Sequence, residues 1–130
     1  MLVPLSWLKE YVDMINAQHP DLILIGGDLI DNSLTPLYKE NMAEELAQLK
    51  APLGIYMVPG NHEYISGIDE SVRFLKDTPI QLLRDSVVTL PNGVQIIGRD
   101  DRSNRSRHSL PTLLKQADRS KPIILLDHQP

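Results

Sequence analysis

Three short apolar runs, each set between segments with helical periodicity, limit the fold of this chain more than any other feature. They occupy residues 22–25 (LILI), 55–58 (IYMV) and 123–126 (IILL). A continuous apolar run of this length beside helices is typical of a strand buried on both faces in a parallel sheet. With a β-hairpin after the third helix, the predicted order is α-β-α-β-α, hairpin, α-β. Such alternation predicts an α/β protein.

Apolar side chains spaced three and four residues apart predict four helices. The first helix should end before Pro20, and the second should begin at Thr35-Pro36, a capping hydroxyl followed by proline. Residues 87–90 and 94–97 flank the turn sequence Pro91-Asn92-Gly93 and predict the hairpin. The apolar positions of the four helices are Leu5, Leu8, Val12 and Ile15; Met42, Leu46 and Leu49; Ile68, Val72 and Leu75; and Leu110, Leu113, Leu114 and Ala117.

The predicted architecture is a single layered α/β/α domain over residues 1–130, with a largely parallel sheet covered by helices on both faces. The chain opens directly in a helix, whereas a βαβ unit begins with the strand that feeds the helix. It closes immediately after its last strand, with nothing to cover the far side of that strand. We therefore expect a truncated domain that is incomplete at both ends.

Composition excludes several classes of protein. Thirteen Lys and Arg residues against seventeen Asp and Glu give a net charge of −4, which indicates no nucleic-acid binding. The absence of cysteine excludes a disulfide scaffold, a thiolate metal site and a cysteine nucleophile. No apolar run approaches the ~20 residues of a transmembrane segment. We expect a soluble domain, cytoplasmic or membrane-associated in the intact protein, and the sequence leaves its localisation open.

Polar residues follow each of the three predicted strands. Asp28 comes after the first, Asn61 and His62 after the second, and His128 after the last. In open α/β sheets, ligands bind beyond the carboxyl ends of the strands. If the three strands share one parallel sheet, these side chains converge. A carboxylate, an amide oxygen and imidazoles together suit a divalent metal such as Mn²⁺, Fe²⁺ or Zn²⁺.

These residues also carry a family resemblance. Gly27-Asp28-Leu29-Ile30-Asp31 matches the GDxxD motif and Gly60-Asn61-His62-Glu63 the GNHE motif of the calcineurin-like metallophosphoesterases. Residues 126–130 (LDHQP) resemble that family's following histidine motif. The resemblance implies a hydrolase that cleaves phosphate mono- or diesters with a hydroxide activated by two divalent metal ions, Mn, Fe or Zn. Its substrate would be a small-molecule or lipid phosphate ester.

The resemblance also implies a role for each matching residue. Asp28 would bridge the two metal ions. Asn61 and His128 would bind the second of them. His62 would not bind metal but would face the phosphoryl group, stabilising charge or protonating the leaving oxygen. Asp31 would accept a hydrogen bond from His62 and orient it.

Two further motifs of the family, DxH before the first helix and GHxH after the last strand, do not occur here. We therefore expect this chain alone to be weak or inactive as an enzyme, although the intact protein should be active. The missing first strand would be central in the sheet, so its loss exposes an edge that favours self-association. An alternative function is a non-catalytic, truncated remnant that acts as a binding or regulatory module. A Rossmann-like nucleotide site is disfavoured, because residues 26–31 (GGDLID) lack the third glycine.

Other conspicuous residues have plainer interpretations. His19 suits the end of a helix better than a metal site. Trp7, Tyr11 and Met14 are interpreted as core or as part of a lost interface. The polar loop 99–109 (RDDRSNRSRHS) is interpreted as solvated surface, with the alternative that one of its arginines contacts an anionic substrate.

Overall fold

The computed structural model describes residues 4–30 and 35–130. Every helix and strand predicted from the sequence is present, and two short elements were missed, a helix at Asn61–Ile65 and a strand at Ile80–Leu82. Among the described residues, no helix is both long and apolar enough to cross a membrane. In chain order the elements are α1 (Leu5–Ala17), β1 (Ile23–Ile25), α2 (Pro36–Leu46), β2 (Ile55–Met57), α3 (Asn61–Ile65), α4 (Ile68–Leu75), β3 (Ile80–Leu82), β4 (Ser86–Thr89), β5 (Gln95–Gly98), α5 (Leu110–Leu114) and β6 (Ile123–Leu126).

The helix boundaries follow local chemistry. Thr35 Oγ1 accepts the Tyr38 N–H at 3.2 Å and Pro36 occupies the first helical position, which confirms the predicted start of α2. Helix α1 ends at Ala17, before Pro20 as predicted. His19 has a left-handed backbone (φ 49°), and its N–H donates to Asn16 O, so His19 lies in the terminating turn of α1.

The strands form two three-stranded sheets instead of one. The first sheet has the order β1-β2-β3 and is parallel throughout, with Ile23, Ile55 and Ile80 in register. The second has the order β4-β5-β6, in which the predicted hairpin pairs β4 and β5 antiparallel and β6 joins β5 in parallel. The α/β class is therefore confirmed, whereas β6 does not share a sheet with β1 and β2.

The layering also differs from the expected helices on both faces. One face of the first sheet packs on α1, α2 and α4, and the other packs on the second sheet. Side chains of β2 alternate accordingly: Ile55 and Met57 belong to the helix-side cluster, Tyr56 to the cluster between the sheets. At Gly98 the sheets come so close that a Cβ would overlap Leu83 and lie 3.1 Å from Val58 Cγ1. The second sheet thus supplies the apolar cover that helices were expected to supply.

Several apolar side chains of the described part stay exposed. Trp7, Tyr11 and Met14 are 51%, 50% and 65% exposed, so the interpretation of these residues as core is wrong. Ile124 and Leu125 of β6 are also exposed. Self-association through a sheet edge remains a prediction, and so does the interpretation of Trp7, Tyr11 and Met14 as part of a lost interface.

Candidate metal centre

The turn after β1 carries Asp28 in an unusual backbone conformation. Gly27 has φ 102° and Asp28 has φ 60°, a left-handed conformation that aspartate tolerates better than most residues. A Cβ on Gly27 would lie 2.8 Å from both Gly60 N and His128 Nδ1. Glycine is therefore required where three segments of the chain meet.

The turn after β2 packs directly against the first turn. A Cβ on Gly60 would overlap Asp28 Oδ1 and lie 2.7 Å from Asp28 N. Helix α3 begins immediately after Gly60, which places Asn61 and His62 in its first turn. The GDxxD and GNHE segments, 33 residues apart in sequence from Asp28 to Asn61, are thus in van der Waals contact.

Glu63 joins these two turns. Its side chain is fully buried, and Oε1 accepts the backbone N–H groups of Asp28 (2.8 Å) and Gly60 (2.7 Å). Oε2 accepts the N–H of Ile30 at 2.8 Å. Sequence reasoning assigned Glu63 no role, although an acidic residue three positions after a helix N-cap is a known signal for such a bond. The backbone position of Asp28 therefore depends on Glu63.

Three of the predicted site residues, Asp28, Asn61 and His128, lie together. His128 Nε2 is 3.1 Å from Asn61 Oδ1 and 3.3 Å from Asp28 Oδ2. The other carboxylate oxygen of Asp28, Oδ1, accepts the backbone N–H of His62 at 3.0 Å. Although β6 belongs to the second sheet, its carboxyl end reaches the ends of β1 and β2. One shared sheet was not needed for the convergence.

The hydrogen bonds of His128 define which ring nitrogen faces the site. Nδ1 lies 2.7 Å from Gly26 O, which can only accept, so Nδ1 carries a hydrogen. In a neutral ring Nε2 then has no hydrogen and carries a lone pair, which is directed at two oxygen acceptors. Three acceptor atoms converge without a donor between them, an arrangement that a bound cation would stabilise. The carbonyl contact is also the usual means of orienting a metal-binding histidine.

The spacing of these three candidate ligand atoms fits a single metal ion. Ligand atoms about 2.1 Å from a common metal lie about 3.0 Å apart at a right angle and about 3.4 Å apart at the tetrahedral angle. The observed separations of 3.1 Å and 3.3 Å fall in this interval. Within residues 4–30 and 35–130, no group of three or more His, Cys, Asp and Glu side chains could hold a metal ion. The set found here consists of two such side chains and an amide.

Of the two predicted catalytic residues, His62 and Asp31, the structure describes only His62. His62 is exposed on the first turn of α3, with its backbone held by Asp28. Asp31 lies outside the described residues, so its hydrogen bond to His62 stays a prediction.

The polar loop 99–109 is anchored more firmly than a solvated loop. Asp100 is buried and accepts hydrogen bonds from Tyr64 Oη (2.6 Å), Arg84 Nε (3.2 Å) and Asn104 Nδ2 (3.0 Å). Burial and the bond to Asp100 raise the pKa of Tyr64 to about 12. Burial alone would raise the pKa of the Asp100 carboxyl, but the hydrogen bonds from Tyr64 and Asn104 bring it below its ordinary value. Through Tyr64, the loop is tied to the helix that carries His62.

Carboxylate, amide and imidazole side chains at the ends of strands, in two packed sheets flanked by helices, are the features of an α/β protein that could hold a metal ion. The chain matches the sequence model of calcineurin-like phosphoesterases over residues 5–130 and belongs to that family. An uncharacterized metallophosphoesterase of Helicobacter pylori strain J99 is 35% identical over 133 residues, covering 99% of this chain and 35% of that protein.

Two further relatives extend this comparison. An uncharacterized metallophosphoesterase of Aquifex aeolicus is 36% identical over 131 residues, covering 94% of this chain and 49% of that protein. A Danio rerio protein named transmembrane protein with metallophosphoesterase domain is 30% identical over 138 residues, covering 96% of this chain and 31% of that protein. No solved structure matches the chain. The chain spans about a third to a half of the length of these relatives.

Proposed function

We propose that this chain is part of a metal-dependent phosphoesterase that hydrolyses phosphate mono- or diesters. One observation carries the proposal: His128 Nε2 lies 3.1 Å from Asn61 Oδ1 and 3.3 Å from Asp28 Oδ2, and with a neutral ring none of these contacts has a hydrogen-bond donor. Membership in the calcineurin-like phosphoesterase family supports the same reaction class.

The donor set suits Mn²⁺, Fe²⁺ or Zn²⁺, because it combines a nitrogen ligand with oxygen ligands. Bound there, such an ion would polarise a phosphoryl oxygen and lower the pKa of a water molecule. Asp28, Asn61 and His128 would hold this ion. In the intact protein Asp28 would also contribute to a second ion, with ligands from the DxH and GHxH motifs that this chain lacks.

His62 would act on the substrate and not on the metal. Its imidazole is exposed, and its backbone N–H is fixed 3.0 Å from Asp28 Oδ1. From this position the ring would donate a proton to the leaving oxygen or a hydrogen bond to the phosphoryl group. Asp31, three residues after Asp28, would orient the ring.

The substrate class proposed is a small-molecule or lipid phosphate ester. The chain alone supplies three donor atoms for one ion and one carboxylate for the other, which predicts weak activity or none. Relatives named as transmembrane proteins with a metallophosphoesterase domain are compatible with membrane association of the intact protein.

Metal binding can be tested on the chain itself. Mn²⁺ should raise its melting temperature in a concentration-dependent way, whereas an adenine nucleotide should not. Stabilisation by the nucleotide alone would contradict the proposal and favour a nucleotide-binding module.

Activity should be measured on the full-length protein encoded by the gene. The substrates are p-nitrophenyl phosphate as the monoester and bis(p-nitrophenyl) phosphate as the diester. We expect Mn²⁺-dependent release of nitrophenol from at least one of them. Metal binding without hydrolysis of either would favour the non-catalytic module.

A further inference from the structure

The residue before His128 is held in a buried ionic cluster. The Asp127 side chain is only 5% exposed, and each of its carboxylate oxygens contacts a different arginine. Arg99 Nη1 lies 3.1 Å from Oδ2 and Arg107 Nη1 lies 3.4 Å from Oδ1. We call these three residues the arginine clamp.

Arg107 reaches both sides of His128. Besides Asp127, its Nη1 contacts the backbone oxygens of Asp100 and Gln129, each at 3.1 Å. Both arginines belong to the polar loop 99–109, within which Arg99 Nε also donates to His108 O at 2.9 Å, so the clamp joins this loop to Asp127. One guanidinium is therefore bonded to the Asp127 side chain before His128 and to the Gln129 backbone oxygen after it.

The other contacts at this end of the second sheet stop at Leu126, whose oxygen accepts the Arg99 N–H at 3.0 Å and whose side chain packs against the cluster between the sheets. In the described part of the chain β6 pairs only with β5, and Ile124 and Leu125 are exposed. Packing alone therefore leaves the direction of the segment after Leu126 weakly determined. Yet the His128 ring must point at Gly26 O for Nε2 to face Asp28 and Asn61.

The clamp is poorly explained as a source of stability. Burying an arginine–carboxylate pair removes both charges from water, and the desolvation cost often cancels the attraction. The arginines are also engaged and largely covered, at 17% and 12% exposure, which does not suit direct binding of a substrate. A role in orienting a neighbouring group fits these observations better.

We propose that Arg107, with Arg99 and through Asp127 and Gln129 O, positions the His128 ring against Gly26 O and so presets Nε2 for metal binding. Arg107 is thus a positioning residue. The expected effect on metal binding rests on the proposed function, whereas the effect on the His128 ring does not. Removing Arg107 should release the ring while leaving all three predicted metal-binding side chains present.

Arg107→Gln tests this in the purified chain. In the parent protein without metal, NMR should detect a slowly exchanging Nδ1–H signal from His128, and calorimetry should give an affinity for Mn²⁺. Arg107→Gln should lose that signal and bind Mn²⁺ about 10- to 100-fold more weakly. Arg119→Gln removes the same charge from an exposed site on another loop and should change neither readout. Arg107→Lys, which keeps the charge but not the planar fork, should fall between them.

The outcomes separate the two ideas. If Arg107→Gln lowers the melting temperature but leaves the His128 signal and the Mn²⁺ affinity unchanged, the clamp is merely structural and the inference is overturned. If the parent protein does not bind Mn²⁺ but the His128 signal still depends on Arg107, the positioning role stands and the proposed metal centre fails. Should Arg107→Gln not fold, the same two readouts on Arg107→Lys decide.

Discussion

Replacing Glu63 by glutamine tests whether one buried carboxylate holds the site together. The carboxylate accepts three backbone N–H groups, from Asp28, Gly60 and Ile30. A glutamine oxygen can keep the bonds from Asp28 and Gly60, but its NH₂ group then faces the Ile30 N–H, donor against donor. The variant therefore loses one charge-assisted bond and leaves a buried donor without a partner.

The expected loss follows from these contacts. A hydrogen bond to a charged group contributes about 1.5–3 kcal/mol, and an unsatisfied buried group costs a similar amount. Because the two effects overlap, we expect Glu63→Gln to lower the free energy of unfolding by about 3 kcal/mol. For a chain of this length, that corresponds to a drop in melting temperature of roughly 10 °C.

Thermal unfolding by circular dichroism, with and without Mn²⁺, measures both consequences. The variant should also respond less to Mn²⁺, because Glu63 holds the N–H of Asp28 and hence its left-handed turn. Glu70→Gln is the matched control, since the Glu70 side chain is 62% exposed and its ion pairs with Lys39 and Arg73 are long, at 3.8 Å, so the change should shift stability by less than about 1 kcal/mol. A Glu63→Gln variant that melts and binds Mn²⁺ like Glu70→Gln would refute the reasoning.

Three further predictions concern the site and its surroundings. Asp28→Ala should abolish stabilisation by Mn²⁺. His62→Ala should keep that stabilisation but lose phosphoesterase activity in the full-length protein. Equal loss of metal affinity in both variants would contradict the assigned roles. Gly60→Ala should lower the melting temperature and the Mn²⁺ response together, because its Cβ would overlap Asp28 Oδ1; an unchanged melt would mean that the two turns can separate freely. Tyr64 has a folded-state pKa of about 12, above the ordinary value of 10.0, so its contribution to stability is complete below pH 10 and is lost as the pH rises towards 12. Urea unfolding should show this loss in the parent protein and a smaller one in Tyr64→Phe, and identical pH profiles would exclude a partly buried phenol bonded to Asp100.

Elements with strong local signals could be predicted from the sequence. Three features depend only on residues a few positions apart, so no tertiary information is needed to predict them. They are the apolar face of α1, the start of α2 at Thr35-Pro36 and the turn at Asn92-Gly93. The carboxylate, amide and imidazole after the apolar runs could be recognised for the same reason, because the motifs are contiguous.

Elements that depend on distant partners could not be predicted. Strand β3 has three residues directly after Pro79 and is a strand because β2 pairs with it. Helix α3 has only five residues, too few for a periodic pattern. The apolar run of β6 is equally compatible with either sheet, and its pairing with β5 alone assigns it to the second.

The sequence by itself determined the α/β class and the chemical types of the candidate ligands, because both follow from short-range order. Only the tertiary structure decided how those ligands are oriented. The ring of His128 depends on a carbonyl 102 residues away, the turn of Asp28 on Glu63, and the arginines of the polar loop on Asp127. These contacts join segments that are far apart in sequence, and such contacts produce no periodic pattern from which they could be predicted.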